Sequence, residues 1–86
     1  MGSSRTSDAA ILLGHVIQCE DCRALLLEQP ERVLIGRKIP EDQRQKLIDL
    51  REEDFENIAM LASTVGIELS ELREGIDHPR ARLRHL

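Results

Sequence analysis

Residues 14–27, GHVIQCEDCRALLL, decide how the fold and the function of this chain are interpreted. His15, Cys19 and Cys22 have the spacing H-x3-C-x2-C, which places all three side chains on one face if the stretch is helical. Apolar residues share that face, namely Ala9, Leu12, Val16 and Leu26. The three side chains are therefore either zinc ligands or members of a buried apolar seam.

The composition predicts the fold class. The chain has 86 residues, enough for one domain with a single modest core. Hydrophobic residues make up 41% of it and Phe55 is the only aromatic one, so Leu, Ile, Val and Ala must build the interior, as is typical of helices rather than sheets. We predict an all-α fold, a single small bundle of four or five short helices. The expected core is Leu12, Val16, Leu26, Leu34, Leu47, Leu50, Phe55, Ile58, Leu61 and Val65.

Helix signals divide the first half of the chain into three segments. Ser7 or Asp8 is predicted to cap a helix that runs to Gln18. Gly14 inside it costs about 1 kcal/mol relative to Ala, which is tolerable where another backbone packs closely. Acidic residues at 20–21 begin a second helix, because they favour the positive end of the helix dipole. Residues 30–35 form a short helical turn.

The second half is predicted to contain further short helices. Residues 40–42, with a proline and two acids, open one of them. The charged stretch 51–54 should form a turn in which Glu53 or Asp54 caps the next helix, and Gly66 ends that helix. Ser70 is predicted to cap a short final helix, and regular structure should stop at His78 and Pro79.

Charge and hydropathy limit the location and the partners. With 12 basic against 16 acidic residues, the net charge is −4, which argues against a binder of nucleic-acid phosphates. A helix-turn-helix at residues 58–75 is disfavoured because its second helix would carry Glu71 and Glu74 against one Arg73. Neither a run of roughly 20 apolar residues nor a signal-peptide pattern is present, so a cytoplasmic protein without a membrane segment is expected.

The chain is predicted to be organised in three parts. Residues 1–6 form a disordered leader, 7–77 the helical domain and 78–86 a basic C-terminal tail. The cysteines are expected to be thiols, a metal pair or a redox pair, since a disulfide between them would close too short a loop to stabilise much.

One resemblance covers residues 13–59. The segments LGHVIQCEDCRALLLEQPERVLIG, IPEDQRQKL and EDFENIA resemble the small helical leader or precursor-like proteins of ribosomally synthesised natural products. Residues after Ala62 lack the double-glycine cleavage site and core peptide of a precursor. The resemblance therefore implies a non-catalytic protein-recognition domain, a leader-like or helper protein of a peptide-modification system, without a cofactor.

A second resemblance is local. His15, Cys19, Cys22 and the following Arg23 resemble the zinc motif of zinc-associated anti-sigma factors, helical proteins that clamp a transcription initiation factor. This resemblance implies zinc as cofactor and those three residues as metal ligands, with His78 or His85 or a water molecule as the fourth.

Both resemblances imply a protein partner and leave open whether copies of the chain associate. No catalytic site is predicted, because the sequence offers neither a phosphate-binding glycine loop nor a nucleophile elbow.

Overall fold

Helix α1 (Asp8–Gln18) is the centre of the fold. In the computed structural model, which describes residues 6–83, every residue of α1 from Ala9 to Val16 is buried. The hydroxyl of Ser7 accepts a hydrogen bond from the Ala10 N–H at 3.2 Å, which confirms the predicted N-cap. A helix that is apolar on all sides must be surrounded by other elements.

Short helices surround α1 and confirm the all-α prediction. Residues 6–83 contain seven α-helices, more than the four or five expected, one 3₁₀ helix and no β-strand. After α1 these are α2 (Glu20–Glu28), α3 (Pro30–Leu34), α4 (Glu41–Ile48), the 3₁₀ helix (Glu52–Glu56), α5 (Ile58–Val65), α6 (Leu69–Asp77) and α7 (Pro79–Leu83). Helices α2, α6 and α7 pack directly on α1.

Glycines let α1 and α6 approach until their backbones touch. A Cβ atom built on Gly14 would lie 2.5 Å from the carbonyl carbon and oxygen of Gly75. A Cβ atom on Gly75 would likewise overlap the carbonyl oxygen of Ala10. Gly14 therefore lies where another backbone packs closely, which is the condition under which a glycine inside this helix is tolerated.

The charged stretch 51–54 forms the expected turn, but the residue that caps the next helix differs from the prediction. The stretch forms a 3₁₀ helix that starts with the Arg51 N–H donating to the Asp54 carboxylate at 2.8 Å. Helix α5 is capped by Asn57, whose side-chain oxygen accepts from the N–H groups of Ala59 and Met60, and not by Glu53 or Asp54. An amide side chain next to the helix start satisfies two unpaired N–H groups, whereas the carboxylates lie a turn too early. Gly66 ends α5 in the left-handed conformation, as predicted.

The core contains eight of the ten predicted residues. Phe55 and Ile58 are only half-buried and pack against its edge. The guanidinium of Arg23 covers the Phe55 ring, 5.8 Å from the ring centroid, and pairs with Glu52 at 3.3 Å. Core residues that the prediction omitted include Leu13, Val33, Ala62, Leu72 and Ala81.

The two ends of the chain also differ from the prediction. Of the expected disordered leader, residues 1–5 lie outside the described part, while Thr6 donates to Glu74 of α6 at 3.4 Å. Regular structure does not stop at Pro79, because Pro79 is the first residue of α7, a position that suits its fixed φ angle. Of the expected basic tail, residues 84–86 lie outside the described part. Among the described residues no helix is both long and apolar enough to cross a bilayer.

We expect the substitution Gly14→Ala to destabilise the fold. The added methyl group would force α1 and α6 apart, and overpacking of this kind lowers the free energy of unfolding by roughly 1–3 kcal/mol. Urea denaturation followed by circular dichroism measures the change. Ser63→Ala on the exposed side of α5 is the control and should change the free energy by less than about 0.5 kcal/mol. Equal stability of the two variants would contradict a close contact between the two helices.

Candidate metal centre

His15, Cys19 and Cys22 come together at the elbow between α1 and α2. One potential ligand atom from each side chain lies within 4.8 Å of the other two. His15 lies in the last turn of α1, Cys22 in the first turn of α2, and Cys19 is the residue between the two helices. The cluster therefore forms across a helix break and not along one continuous helix.

Local interactions explain why the helix breaks at Cys19. The side-chain amide of Gln18 donates to the Gly14 carbonyl at 3.0 Å and to the Ile76 carbonyl of α6 at 2.8 Å, which ties the last turn of α1 to α6. Cys19 is extended, with φ −125° and ψ 107°. Two acidic residues, Glu20 and Asp21, then occupy the first turn of α2, where the helix dipole favours them.

Two buried contacts hold the imidazole of His15. Its Nδ1 lies 2.6 Å from the carbonyl oxygen of Ala81 in α7, and its Nε2 lies 3.1 Å from Sγ of Cys22. Because a carbonyl oxygen can only accept, Nδ1 carries the proton of the neutral ring. Nε2 is then the acceptor, and its lone pair points towards the Cys22 thiol. This is the orientation in which the imidazole could bind a metal ion through Nε2.

The cluster is buried on the side of His15 and Cys22 and reachable on the side of Cys19. His15 and Cys22 are each 6% exposed, while Cys19 is half-buried. Both cysteines are thiols and not half of a disulfide. Cys22 also belongs to the apolar core, so it lies in the buried seam as well as in the cluster.

The other histidines are not part of the cluster in the described residues. His78 lies between α6 and α7, where its Nδ1 accepts from the Arg80 N–H at 3.1 Å. His85 lies outside the described residues. The structure thus brings together the three predicted ligands, and of the predicted candidates for the fourth it describes only His78, which lies outside the cluster.

Thiolate sulfur and imidazole nitrogen form a suitable ligand set for zinc. A ligand histidine commonly donates its other ring N–H to a carbonyl or carboxylate, which fixes the ring and its tautomer. The Ala81 carbonyl is placed to do this for His15. No sequence pattern indicates this partner, because a backbone carbonyl at any position looks the same and Ala81 is 66 residues away along the chain.

Comparison of the chain with protein families, with curated proteins and with solved structures finds no match.

We expect His15 and His78 to adopt opposite tautomers in the metal-free protein. His15 should carry its proton on Nδ1, because that atom faces the Ala81 carbonyl, whereas His78 should carry it on Nε2, because its Nδ1 accepts from the backbone. Long-range proton–nitrogen correlation spectra at a pH where both rings are neutral measure the two forms. A His15 ring protonated on Nε2 would contradict the orientation that the metal centre requires.

Proposed function

We propose that this protein is a zinc-binding helical domain that acts by recognising another protein, with His15, Cys19 and Cys22 as three of the metal ligands. The observation that supports the metal is the convergence of the three side chains to within 4.8 Å. Thiolates favour zinc over the hard cations magnesium and calcium, and two thiolates with an imidazole are a ligand combination common for zinc.

The distances in the cluster are close to those of a zinc site. With Zn–S near 2.3 Å and Zn–N near 2.0–2.1 Å, two ligand atoms of a tetrahedron lie about 3.5–3.8 Å apart. The distance between Nε2 of His15 and Sγ of Cys22 is 3.1 Å, and the whole set spans no more than 4.8 Å. Changes of roughly 1 Å in the separations of the ligand atoms therefore reach the tetrahedral geometry.

Zinc would replace the hydrogen bond between His15 and Cys22 with two metal bonds. The thiol proton leaves, and Nε2 already presents its lone pair to the space beside Sγ. The Ala81 carbonyl supports the ligand from behind, and an outer-shell partner of this kind contributes about 10–100-fold to metal affinity.

Zinc usually takes four ligands, and the described residues supply three of them. The fourth comes from water or from outside the described residues. In the ranges 1–5 and 84–86, His85 is the only residue whose side chain is a common zinc ligand. Comparison of His85→Ala with His78→Ala therefore distinguishes a protein ligand from water.

The proposed role is the non-catalytic recognition of a protein in the cytoplasm, where thiols stay reduced. The resemblance of the H-x3-C-x2-C segment to the motif of anti-sigma factors favours a component of the transcription machinery as the partner. The metal-free alternative, a helper protein of a peptide-modification system, predicts that zinc is absent and that Cys22→Ala leaves the helical content intact.

We expect one zinc ion per chain in protein purified without chelator. Zinc at about 100 times its dissociation constant should raise the free energy of unfolding by about 2.7 kcal/mol, because the metal binds the folded cluster. Cys19→Ser and Cys22→Ser should each weaken binding by more than about 100-fold, since loss of a ligand exceeds the loss of an outer-shell partner. Metal analysis and competition with a chromogenic chelator measure these effects.

His78→Ala is the matched control for His15→Ala, because it removes the same side chain outside the cluster. It should leave zinc affinity unchanged, while His15→Ala should abolish tight binding. Affinity should also fall as the pH is lowered, since protons compete for the two sulfurs and the imidazole. Substoichiometric zinc, or equal affinity of the two histidine variants, would contradict the proposal.

A further inference from the structure

A second surface of the molecule combines apolar side chains with two arginines. A cavity of about 380 Å³ lies where α2 meets α3 and the loop after it, lined by Leu25, Arg32, Val33, Ile35 and Arg37. Ile35 is 76% exposed, and among the described residues it is one of two large hydrophobic side chains that are exposed. Beside Leu25 and Val33 it forms a small apolar patch, and contiguous apolar patches with polar residues around them are typical of interaction sites.

The backbone explains why Ile35 points outwards. Ile35 is the C-cap of α3, and it is extended, with φ −63° and ψ 134°. Gly36 follows with φ +81°, a conformation that glycine adopts without strain. The N–H groups of Ile35 and Arg37 donate to the carbonyls of Glu31 and Leu34, which fixes this turn. The exposed side chain is therefore held by an ordered turn.

Both arginines at the cavity are held within the domain and lack an acidic partner there. Nε of Arg37 donates to the Val33 carbonyl at 2.8 Å, and Nη1 of Arg32 donates to the side chain of Gln29 at 3.1 Å. Neither guanidinium lies within 4 Å of a carboxylate of the described residues. In a chain of net charge −4, this surface is a local site of positive charge next to apolar side chains.

We propose that this surface, the α2–α3 surface, binds an acidic peptide segment of a partner protein. A bulky apolar side chain of the peptide would lie against Leu25, Val33 and Ile35, and carboxylates beside it would pair with Arg32 and Arg37. A guanidinium offers two parallel donors to a carboxylate, which gives orientation as well as attraction. This inference rests on the part of the proposed function that assigns a protein partner, and it does not require the metal to be bound.

Selection from a phage-displayed library of random dodecapeptides against the full chain tests the inference. We expect the recovered peptides to carry Asp or Glu within a few positions of Leu, Ile, Phe or Met. Binding of a recovered synthetic peptide should weaken as salt is added, because ions screen exposed charge pairs. Amide chemical-shift changes should centre on residues 25–37.

Matched variants identify the contacts. Arg32→Gln combined with Arg37→Gln should weaken peptide binding at least tenfold, while Arg44→Gln combined with Arg73→Gln, which removes the same charge elsewhere, should change it less than twofold. Ile35→Ser should weaken binding at least fivefold, and Met60→Ser, at the other exposed hydrophobic residue, should not. Arg32 and Ile35 are exposed, so their substitution should leave the domain folded. An unchanged circular dichroism spectrum of each variant would exclude unfolding as the cause of weaker binding.

Three outcomes would overturn the inference. They are peptides without acidic residues, equal binding by the two arginine pairs, and a surface occupied only by RNA or by a second copy of the chain. Zinc content measured on the same samples distinguishes a failure of this inference from a failure of the metal proposal. Peptide binding without zinc would overturn the metal proposal alone, and stoichiometric zinc without peptide binding would overturn the α2–α3 surface alone.

Discussion

Burial of α1 from Ala9 to Val16 is the constraint on which the rest of the structure depends. A helix whose residues Ala9 to Val16 are all buried must have neighbours on every side, and α2, α6 and α7 provide them. Within this buried stretch, His15 is the one residue with a polar side chain, and it is only 6% exposed. A buried polar group without a partner costs about 1–3 kcal/mol, so both ring nitrogens need contacts. The Ala81 carbonyl and the Cys22 thiol supply them, and this requirement brings the elbow and α7 together at one point.

The sequence predicts most of the fold because most of its signals are local. The Ser7 cap and the end of α5 at Gly66 each follow from one residue type in one conformation. The errors arise where two local signals compete. Pro79 disfavours helix in the residue before it but suits the first turn of a new helix, and the structure uses the second property. The acids at 52–54 suit a helix start, yet a 3₁₀ turn closed by Asp54 forms there and Asn57 begins α5.

The candidate site could be predicted only in part. The spacing of His15, Cys19 and Cys22 along the chain predicts that they share one face of a helix, whereas in the structure they meet across the helix break at Cys19. Which ring nitrogen of His15 faces the sulfur depends on Ala81, a contact made by tertiary packing. The α2–α3 surface gives no motif, because it depends on the turn at Gly36, which exposes Ile35 between two arginines.

Helix α2 connects the two sites. Cys22 lies in its first turn and Leu25, which lines the cavity, lies one turn later. A helix of nine residues is too short to be stable alone, so contacts with neighbours must hold it in place. At its N-terminal end these contacts are those of Cys22 with His15 and the core, and at its other end Gln29 is both its C-cap and the N-cap of α3. A metal bound by Cys19 and Cys22 would thus hold the N-terminal end of α2 in place. Leu25 lies one turn beyond Cys22 in the same helix, so its position depends on that end. Because the other lining residues, Arg32, Val33, Ile35 and Arg37, belong to α3 and the loop after it, the metal would act on this surface mainly through Leu25.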